Sequence, residues 1–361
     1  MDVSQLLIYI SIAISIITII VVVSVMVSKK QRATSQFNNT NASVKVNTSI
    51  LSASNTNYTL KDYYIMGSYN TCIEGPFNSG IVSIQYLKNA LALGYRFLDF
   101  EIYSSTSDNP MVSCSSLVTS CGTSPQSYYL LPFSEVMSTI NTYAFSNSGC
   151  MNYKDPLIIN LRIKTCNVNV LSNMAEIFKK YPKRMLGPKY SFNTNNTNFG
   201  DTHLSNLMGK ICVLVDSNSV HYPNVPLFME YVNMSSITGF MQNMTQTAFK
   251  NIPSLNDLIT QNKTNMTIII PDYNTHNPSN TVIQAYQNAG CQVVCMNIWK
   301  NDSYLSVNND FFHQYKSAFV LKPEQYRSIP QTISAPTPQG SSNSYASRPL
   351  NTGVAGITYK I

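Results

Sequence analysis

The most hydrophobic stretch of the chain is its N-terminal end, where residues 6–27 include no charged side chain. As an α-helix, this stretch is long enough to cross a hydrocarbon core of about 30 Å. Lys29, Lys30 and Arg32 follow it directly, whereas a cleaved signal peptide has its positive charge before a shorter apolar run and ends in small residues. The pattern predicts an uncleaved anchor at residues 1–30, through which the protein crosses a membrane once.

Apolar runs with strand character alternate with helical patterns in the middle of the chain. Residues 157–161 and 267–270 are nearly continuous apolar runs, as expected of parallel strands that are covered on both faces. Between such runs, apolar residues recur at helical spacing, for example at Ile84, Leu87 and Leu91. About eight units of this kind predict an α/β fold, a (β/α)8 barrel of the TIM type. The strand-like runs are residues 63–68, 96–103, 110–113, 156–163, 210–216, 266–271 and 292–299, and residues 234–241 supply a further candidate.

Two polar stretches flank this core. Residues 31–60 are rich in Asn, Ser and Thr and have few large apolar residues, which predicts a flexible stalk between the anchor and the barrel. Residues 328–361 are rich in Ser, Pro, Gln and Thr, which predicts a disordered tail. The globular domain is therefore expected at residues 61–327, a size that suits one barrel.

The overall composition sets few limits on partners. Hydrophobic residues make up 44% of the 361 residues, which is enough for a substantial core, and the net charge is +7. Lysine and arginine form no block dense enough for a nucleic-acid surface, so we expect no nucleic-acid partner. The sequence does not identify a protein partner.

The sequence carries opposing indications of which side of the membrane holds the domain. The basic residues after the anchor favour the cytoplasmic side under the positive-inside rule. Ten Asn-x-Ser/Thr sequons would be glycosylation sites in a lumen, but a chain so rich in Asn, Ser and Thr contains many of them by chance. The sequence therefore leaves the orientation open. The sequons begin at Asn38, Asn41, Asn47, Asn57, Asn195, Asn233, Asn243, Asn262, Asn265 and Asn301.

The eight cysteines form no C-x-x-C pair and no spacing with histidine that resembles a zinc site. Cys212, Cys291 and Cys295 fall in apolar strand-like runs, where buried free thiols are expected. Four others lie nearer to loops, where an oxidising compartment would allow a disulfide. These are Cys114, Cys121, Cys150 and Cys166.

The residues with candidate chemistry concentrate between positions 65 and 103. Asn70 closes one strand-like run, and Asp99 and Glu101 lie in the next. Because Asp99 and Glu101 are two positions apart, they face the same side of a strand. A carboxylate pair and an amide that meet at strand ends suit a hard cation or a polyol.

This stretch resembles the X region of eukaryotic phosphoinositide-specific phospholipase C. Residues 68–72 (SYNTC) are similar to the family motif S-H-N-T-Y, and residues 96–101 (RFLDFE) are similar to R-x-x-E-x-D. The resemblance covers about residues 62–327, and it implies the barrel of the PLC-like phosphodiesterases. It places an X region at about residues 62–216 and a Y region at about 234–327. Later family motifs recur in order at residues 207–211 (LMGKI), 288–297 (NAGCQVVCMN) and 319–323 (FVLKP).

The resemblance implies cleavage of a phosphodiester by general acid–base catalysis, with two histidines and a calcium ion. Tyr69 stands at the position of the first family histidine, and Cys114 stands at that of the second. No histidine occurs between residues 1 and 202, so a shift of the alignment restores neither role. We therefore expect no catalytic residue in this chain.

The resemblance also implies an altered metal site. Asn70 matches a family ligand, Asp99 and Glu101 stand in exchanged order, and Arg162 stands where the family has a further ligand glutamate. We therefore hypothesise that Arg162 pairs with Asp99 or Glu101 and fills the vacant cation site. No metal or other cofactor is expected, and if calcium binds, Asn70, Asp99 and Glu101 are the candidate ligands.

The cationic headgroup contacts of the family are lost as well. Two family lysines fall on Leu214 and Asp216, and a substrate-binding arginine falls near Thr275. Because the loss of one acid–base group typically costs about 10²–10⁴-fold in rate, the combined losses predict a degenerate pocket without competent phosphoinositide hydrolysis. Its members are Tyr69, Asn70, Asp99, Glu101, Cys114, Arg162, Leu214, Asp216 and Thr275.

Three functions fit this sequence. The first is a membrane-anchored pseudoenzyme whose barrel is kept as a scaffold or interaction module; its composition is compatible with a virion membrane protein of a large DNA virus or with a protein of an AT-rich protist. The second is a divergent phosphoric diester hydrolase that acts on phosphatidylinositol-type lipids with Asp99, Glu101 and a metal. The third is a module that binds inositol phosphates or lipid headgroups without chemistry.

Overall fold

The computed structural model describes residues 3–43, 56–117, 122, 124–127, 129–192, 197–216, 224–272, 275–329, 349–351, 353–355 and 358–360. The chain divides into two compact units, Met1–Ser328 and Ile329–Ile361. The first unit contains the N-terminal helix and the elements of a barrel, and the second contains a short hairpin.

The N-terminal helix α1 extends over Val3–Ser43. Its segment Val3–Val25 is long and apolar enough to span a membrane, a test that a signal sequence also passes. The helix continues beyond this segment, so the expected flexible stalk is corrected to helix for residues 31–43. Each residue added to an existing helix gains a backbone hydrogen bond, and a polar composition alone does not end it. The remainder of the expected stalk, up to residue 55, lies outside the described residues.

In the described residues of the first unit there are thirteen strands, and most are short. Eight of them are parallel and form a nearly closed barrel. In chain order the strands are β1 (Tyr63–Ser68), β2 (Ile73–Glu74), β3 (Ile81–Val82), β4 (Phe97–Ser104), β5 (Pro110–Ser113), β6 (Leu131–Pro132), β7 (Leu157–Ile163), β8 (Ile211–Asp216), β9 (Met234–Ser235), β10 (Met241–Thr245), β11 (Met266–Ile270), β12 (Val293–Met296) and β13 (Phe319–Leu321).

Hydrogen bonds join the barrel strands in the order β10, β11, β12, β1, β4, β7, β8, β9. The predicted barrel is thus confirmed, with one correction to its strands. Residues 110–113 form a strand, but β5 pairs antiparallel with β4 and lies outside the parallel ring. The turn between β4 and β5 is too short for the crossover that a parallel pair needs. The eighth barrel strand comes instead from residues 234–245, which supply both β9 and β10.

Helices alternate with the strands and bury one face against them. In α2 the buried residues Tyr86, Leu87, Ala90 and Leu91 recur at helical spacing, and Ser83 caps the first turn by accepting from Gln85 N. The other helices are α3 (Phe133–Thr139), which continues as a π-helical turn, α4 (Val168–Lys179), α5 (Pro226–Met229), α6 (Gln246–Lys250), α7 (Leu255–Asn262), α8 (Ile283–Gln287) and α9 (Ser303–Gln314), with α2 at Ile84–Ala92.

The second unit contains an antiparallel hairpin where the composition predicted disorder. Its strands are β14 (Pro349–Asn351) and β15 (Thr358–Lys360), and their register sets Leu350 opposite Tyr359. A cross-strand pair of an aliphatic and an aromatic residue stabilises such a hairpin, and overall composition does not reveal a pairing of this kind. The expected disordered tail is therefore corrected at these strands, and residues 330–348 lie outside the described residues.

Six cysteines are buried free thiols, among them the three expected in strands: Cys212, Cys291 and Cys295. Of the four cysteines near loops, Cys166 is disulfide-bonded, whereas Cys114 and Cys150 are free. Cys121 lies outside the described residues.

Candidate functional site

Polar side chains meet at the C-terminal ends of the neighbouring strands β1, β4, β7 and β8. The parallel register places Asp99 beside Asn160 and Glu101 beside Arg162. Since alternate residues of a strand face the same side, these four side chains converge in the mouth of the barrel. Asn70 follows β1 with a φ of 42°, a left-handed conformation that asparagine adopts more readily than most residues.

The guanidinium of Arg162 lies at the centre of this group. Its Nε donates to Asp99 Oδ1 at 3.0 Å, and one terminal nitrogen donates to Glu101 Oε1 at 2.6 Å and to Tyr69 OH at 3.2 Å. The other terminal nitrogen donates to Asn70 Oδ1 at 2.8 Å and to Asp99 Oδ2 at 2.7 Å. Both ion pairs that the sequence suggested as alternatives are therefore formed at once, and all five N–H donors of the guanidinium are engaged.

Burial makes these ion pairs strong and mutually dependent. Arg162 and Glu101 are each 1% exposed and Asp99 is 0% exposed. Burial alone lowers the pKa of an arginine, but the attraction of Asp99, Tyr69 and Glu101 outweighs it and raises the pKa of Arg162 well above its ordinary value. Arg162 is therefore charged at neutral pH.

Neighbouring groups hold each carboxylate in place. Asp99 accepts hydrogen bonds from Asn160 Nδ2 at 2.8 Å and from the backbone N–H of Asn70 at 3.0 Å. Glu101 Oε2 accepts from Tyr103 OH at 2.6 Å and from the backbone N–H of Ser115 at 2.8 Å. Sequence reasoning missed Asn160, Tyr103 and Ser115. Asn160 and Tyr103 each lie two positions from a predicted site residue, so strand alternation could have found them.

An aromatic pair covers the guanidinium. The ring of Tyr69 lies 4.5 Å from the guanidinium carbon of Arg162, close enough for a cation–π interaction. Phe77, in the turn between β2 and β3, packs on Tyr69 with ring centroids 6.0 Å apart, and its N–H donates to His276 O at 2.8 Å. Tyr69 and Phe77 are each 2% exposed, so these rings separate the ion pairs from solvent.

Cys114, at the position of the second family histidine, is a buried thiol. Burial raises its pKa well above the ordinary value, and the charge of Glu101 adds to this effect. The thiol is therefore protonated at neutral pH and is unsuited to act as a nucleophile or as a base.

The remaining predicted pocket residues lie at the edge of this group. Leu214 is fully buried in β8, next to Asn160 in the register. Asp216 lies beside Arg162 in that register and accepts from Ser236 Oγ at 3.0 Å. Thr275 is half-buried, and the contacts described for Arg162 do not include it.

Lys164 is a second buried basic residue close to these carboxylates, and sequence reasoning missed it. It is 2% exposed, and burial lowers its pKa although the charge of Glu101 partly offsets this. It lies two positions beyond Arg162, so strand alternation could have indicated it.

The residues present do not fit a calcium ion. Calcium takes about six to eight oxygen ligands. The side-chain oxygens of Asn70 and Asp99 and Oε1 of Glu101 already accept from Arg162, and Glu101 Oε2 accepts from Tyr103 and Ser115. A divalent cation beside the fixed positive charge of Arg162 would also meet repulsion in a buried, weakly screened site. Among the described residues, no group of three or more His, Cys, Asp or Glu side chains is placed to hold a metal ion.

Comparison with known proteins agrees with this barrel. The family model "Phosphatidylinositol-specific phospholipase C, X domain" matches residues 56–216, and the corresponding Y-domain model matches residues 213–325. The Y match thus begins within β8, earlier than the expected boundary near residue 234. It leaves no separate linker between the two regions.

Two solved structures of PLC21 have a similar fold. For the protein of S. officinalis the TM-score is 0.61 at 19% identity, over 77% of this chain and 39% of that one. For the protein of L. pealei the TM-score is also 0.61 at 19% identity, and the match covers 76% of this chain and 38% of that one. This chain therefore spans about two fifths of the length of those proteins. With both matching domains in order on one parallel barrel, the chain belongs to the family of phosphatidylinositol-specific phospholipases C, within the PLC-like phosphodiesterases.

Proposed function

We propose that this protein is a membrane-anchored pseudoenzyme of the phospholipase C family, and that its barrel serves as a scaffold or interaction module. The observation that carries the proposal is the position of Arg162. Its guanidinium joins Asp99, Glu101 and Asn70, the three candidate calcium ligands, in one buried network. The cation that organises the site is thus a side chain of the protein itself.

The chemistry of the surrounding groups supports the absence of hydrolysis. Cleavage of a phosphodiester needs a group that accepts a proton and a group that protonates the leaving oxygen. Cys114 keeps its proton because its pKa is raised, and Tyr69 OH accepts a hydrogen bond from Arg162 beneath the ring of Phe77. Neither side chain is exposed to a substrate.

The charge distribution also disfavours an anionic substrate. Arg162 has no free N–H to donate to a phosphate, because all five are engaged by Asp99, Glu101, Asn70 and Tyr69. A phosphate in the mouth would therefore meet two carboxylates whose cationic partner, Arg162, is already saturated. Binding would require breaking an existing buried ion pair, which is costly.

The N-terminal helix supports the anchoring. The large apolar side chains of Val3–Val25 are 46–70% exposed, and an apolar surface of this extent needs a lipid or protein covering. Its length matches a single membrane crossing. A virion membrane of a large DNA virus is one setting compatible with this organisation and with the composition.

A calcium-binding measurement on the full-length protein in detergent micelles tests the proposal. We expect no binding heat for the native protein. The variant Arg162→Glu replaces the internal cation with a carboxylate beside Asn70, Asp99 and Glu101, so we expect it to bind calcium and to gain thermal stability from it.

The matched control is Arg162→Gln, which removes the internal cation without adding a ligand charge, and we expect it to gain much less affinity. Calcium binding by the native protein would overturn the proposal. A parallel assay with phosphatidylinositol vesicles distinguishes the other two functions: turnover would favour the divergent hydrolase, and saturable binding of inositol phosphates without turnover would favour the headgroup module.

A further inference from the structure

The sequon asparagines of the barrel unit differ sharply in exposure. Asn57 and Asn301 are exposed at the surface. Asn233 is 1% exposed and Asn262 is 0% exposed. Asn243 lies in β10, and both its amide nitrogen and its amide oxygen are buried. Two sequons therefore begin at fully buried side chains, and a third begins at a half-buried residue whose amide atoms are shielded from solvent.

Asn262 ends α7 and ties this helix to the base of the barrel. Its Nδ2 donates to Ala289 O at 2.8 Å, and its Oδ1 accepts from Thr267 Oγ1 at 2.6 Å. Its main-chain oxygen accepts from Gln292 Nε2 at 3.0 Å and from Lys322 Nζ at 2.8 Å. A glycan on Nδ2 adds a bulky polar group, and a close-packed interior has no room for it.

Asn233 is held in the same way next to β8. Its Oδ1 accepts from the backbone N–H of Val213 at 2.8 Å, and its Nδ2 donates to Tyr190 O at 3.1 Å. A sugar on this amide would displace Tyr190 and the loop that contains it. The two sites lie on different elements, so their incompatibility with a glycan arises independently.

We infer that the barrel folds on the cytoplasmic side of its membrane, away from the N-glycosylation machinery, and that its sequons are not modified. In a lumen, sequons are glycosylated on the entering chain before the domain folds, so burial in the final structure would not protect them. A glycan at Asn233, Asn243 or Asn262 would then exclude the side chain from the core. This inference rests on the proposed membrane anchor and is independent of the proposed loss of catalysis.

Two other features bear on the orientation. The basic residues Lys29, Lys30 and Arg32 follow the anchor, and under the positive-inside rule they favour the same side. The disulfide at Cys166 favours an oxidising compartment. A disulfide adds stability to a fold that the core already specifies, whereas a glycan on a core amide prevents that core from forming. The asparagines therefore decide between the two indications.

The test is to express the full-length chain in cultured eukaryotic cells and to compare its electrophoretic mobility before and after endoglycosidase treatment. We expect no change. Asn57 and Asn301 serve as internal reporters, because both are exposed and would be modified in a lumen. We also expect a protease added after selective permeabilisation of the plasma membrane to cut the chain on the barrel side of the anchor and to release the resistant barrel from the membrane fraction. A glycosidase-dependent shift, or a barrel that stays in the membrane fraction because the protease cannot reach the chain, would overturn the inference.

A lumen-directed form serves as the control, made by replacing residues 1–30 with a cleavable signal peptide. We expect it to be glycosylated and to lose the protease-resistant core of the native chain. Thr264→Ala in this form removes the sequon of Asn262 and leaves the buried amide intact, so the loss of one glycan identifies modification at that position. A lumen-directed chain that carries this glycan and still forms the resistant core would contradict the steric argument.

Discussion

Among the described residues of the unit that contains the barrel, two arginine side chains are fully buried. Their surroundings shift the pKa values of the two in opposite directions. Arg96 donates to neutral groups, at 2.9 Å to Ala144 O and at 2.7 Å to Asn152 Oδ1, and burial lowers its pKa. Arg162 donates to Asp99 and Glu101 and its pKa is raised. Arg96 thus braces the loop before β7, whereas Arg162 balances a pair of buried carboxylates.

Replacing Arg162 with leucine should destabilise the protein strongly. Asp99 and Glu101 would be left buried without their cation, and breaking a buried ion pair in this way costs about 3–5 kcal/mol. We expect the melting temperature of the full-length protein in micelles to fall by roughly 10 °C. Differential scanning calorimetry would measure the change.

The matched control neutralises the carboxylates together with the arginine. The triple variant Arg162→Leu, Asp99→Asn, Glu101→Gln contains no unpaired charge, so we expect it to recover most of the lost stability. A single Arg162→Leu variant as stable as the native protein would mean that solvent reaches these carboxylates, and it would count against the buried network.

At the scale of single elements, the residue that follows β13 is a lysine whose buried surroundings disfavour its charge. Lys322 directly follows β13, is 1% exposed, and its Nζ donates to Asn262 O at 2.8 Å and to Gly290 O at 3.2 Å. Burial lowers its pKa to about 7, and the charge of Asp62 only partly offsets this. The base of the barrel therefore contains a group that titrates near neutral pH.

Stability should consequently depend on pH through Lys322. The unfolded chain keeps the proton of a lysine up to about pH 10.4, whereas the folded protein releases it above about pH 7. Between these values the unfolded state binds more protons, so the contribution of Lys322 to the free energy of unfolding rises with pH, by at most about 1.4 kcal/mol per unit.

The comparison of native protein with Lys322→Met isolates this contribution, because buried cysteines and tyrosines titrate in the same range with the opposite sign. We expect the native-minus-variant difference in unfolding free energy to increase from pH 7 to pH 9. Lys250→Met, at an exposed lysine, is the control for the loss of a surface charge. A flat difference for Lys322→Met would contradict the lowered pKa.

At the scale of the whole molecule, the proposed anchor would hold the barrel at a membrane. If Val3–Val25 crosses a membrane, two lysines at its centre should abolish insertion, since each costs about 2.5–3.5 kcal/mol there. We expect the variant Ile16→Lys, Ile17→Lys to leave the carbonate-resistant membrane fraction. The conservative variant Ile16→Leu, Ile17→Leu should stay in the membrane fraction. If both variants leave the membrane fraction, the segment would be a cleaved signal instead of an anchor.

Several levels of this organisation could be predicted from the sequence, because they depend on local pattern. Apolar runs located the strands of the barrel, and their order indicated parallel pairing. The same alternation placed Asp99 and Glu101 on one face, and the resemblance to the phospholipase C family suggested that Arg162 would take the cation position. Local pattern did not predict that residues 110–113 pair antiparallel, because the direction of pairing depends on the length of the turn. It also did not predict that the N-terminal helix continues through the polar residues 31–43.

The sequence by itself determined the elements, the barrel and the chemical types in its mouth, since these follow from periodicity and side-chain chemistry. Only the tertiary structure decided which of these side chains contact one another and which of them are buried. It brings β1, β4 and β7 together so that Arg162 engages both carboxylates at once, and it buries Asn233 and Asn262 while leaving Asn57 exposed. Contacts between residues distant in the chain decide both outcomes, and such contacts arise from packing rather than from local pattern.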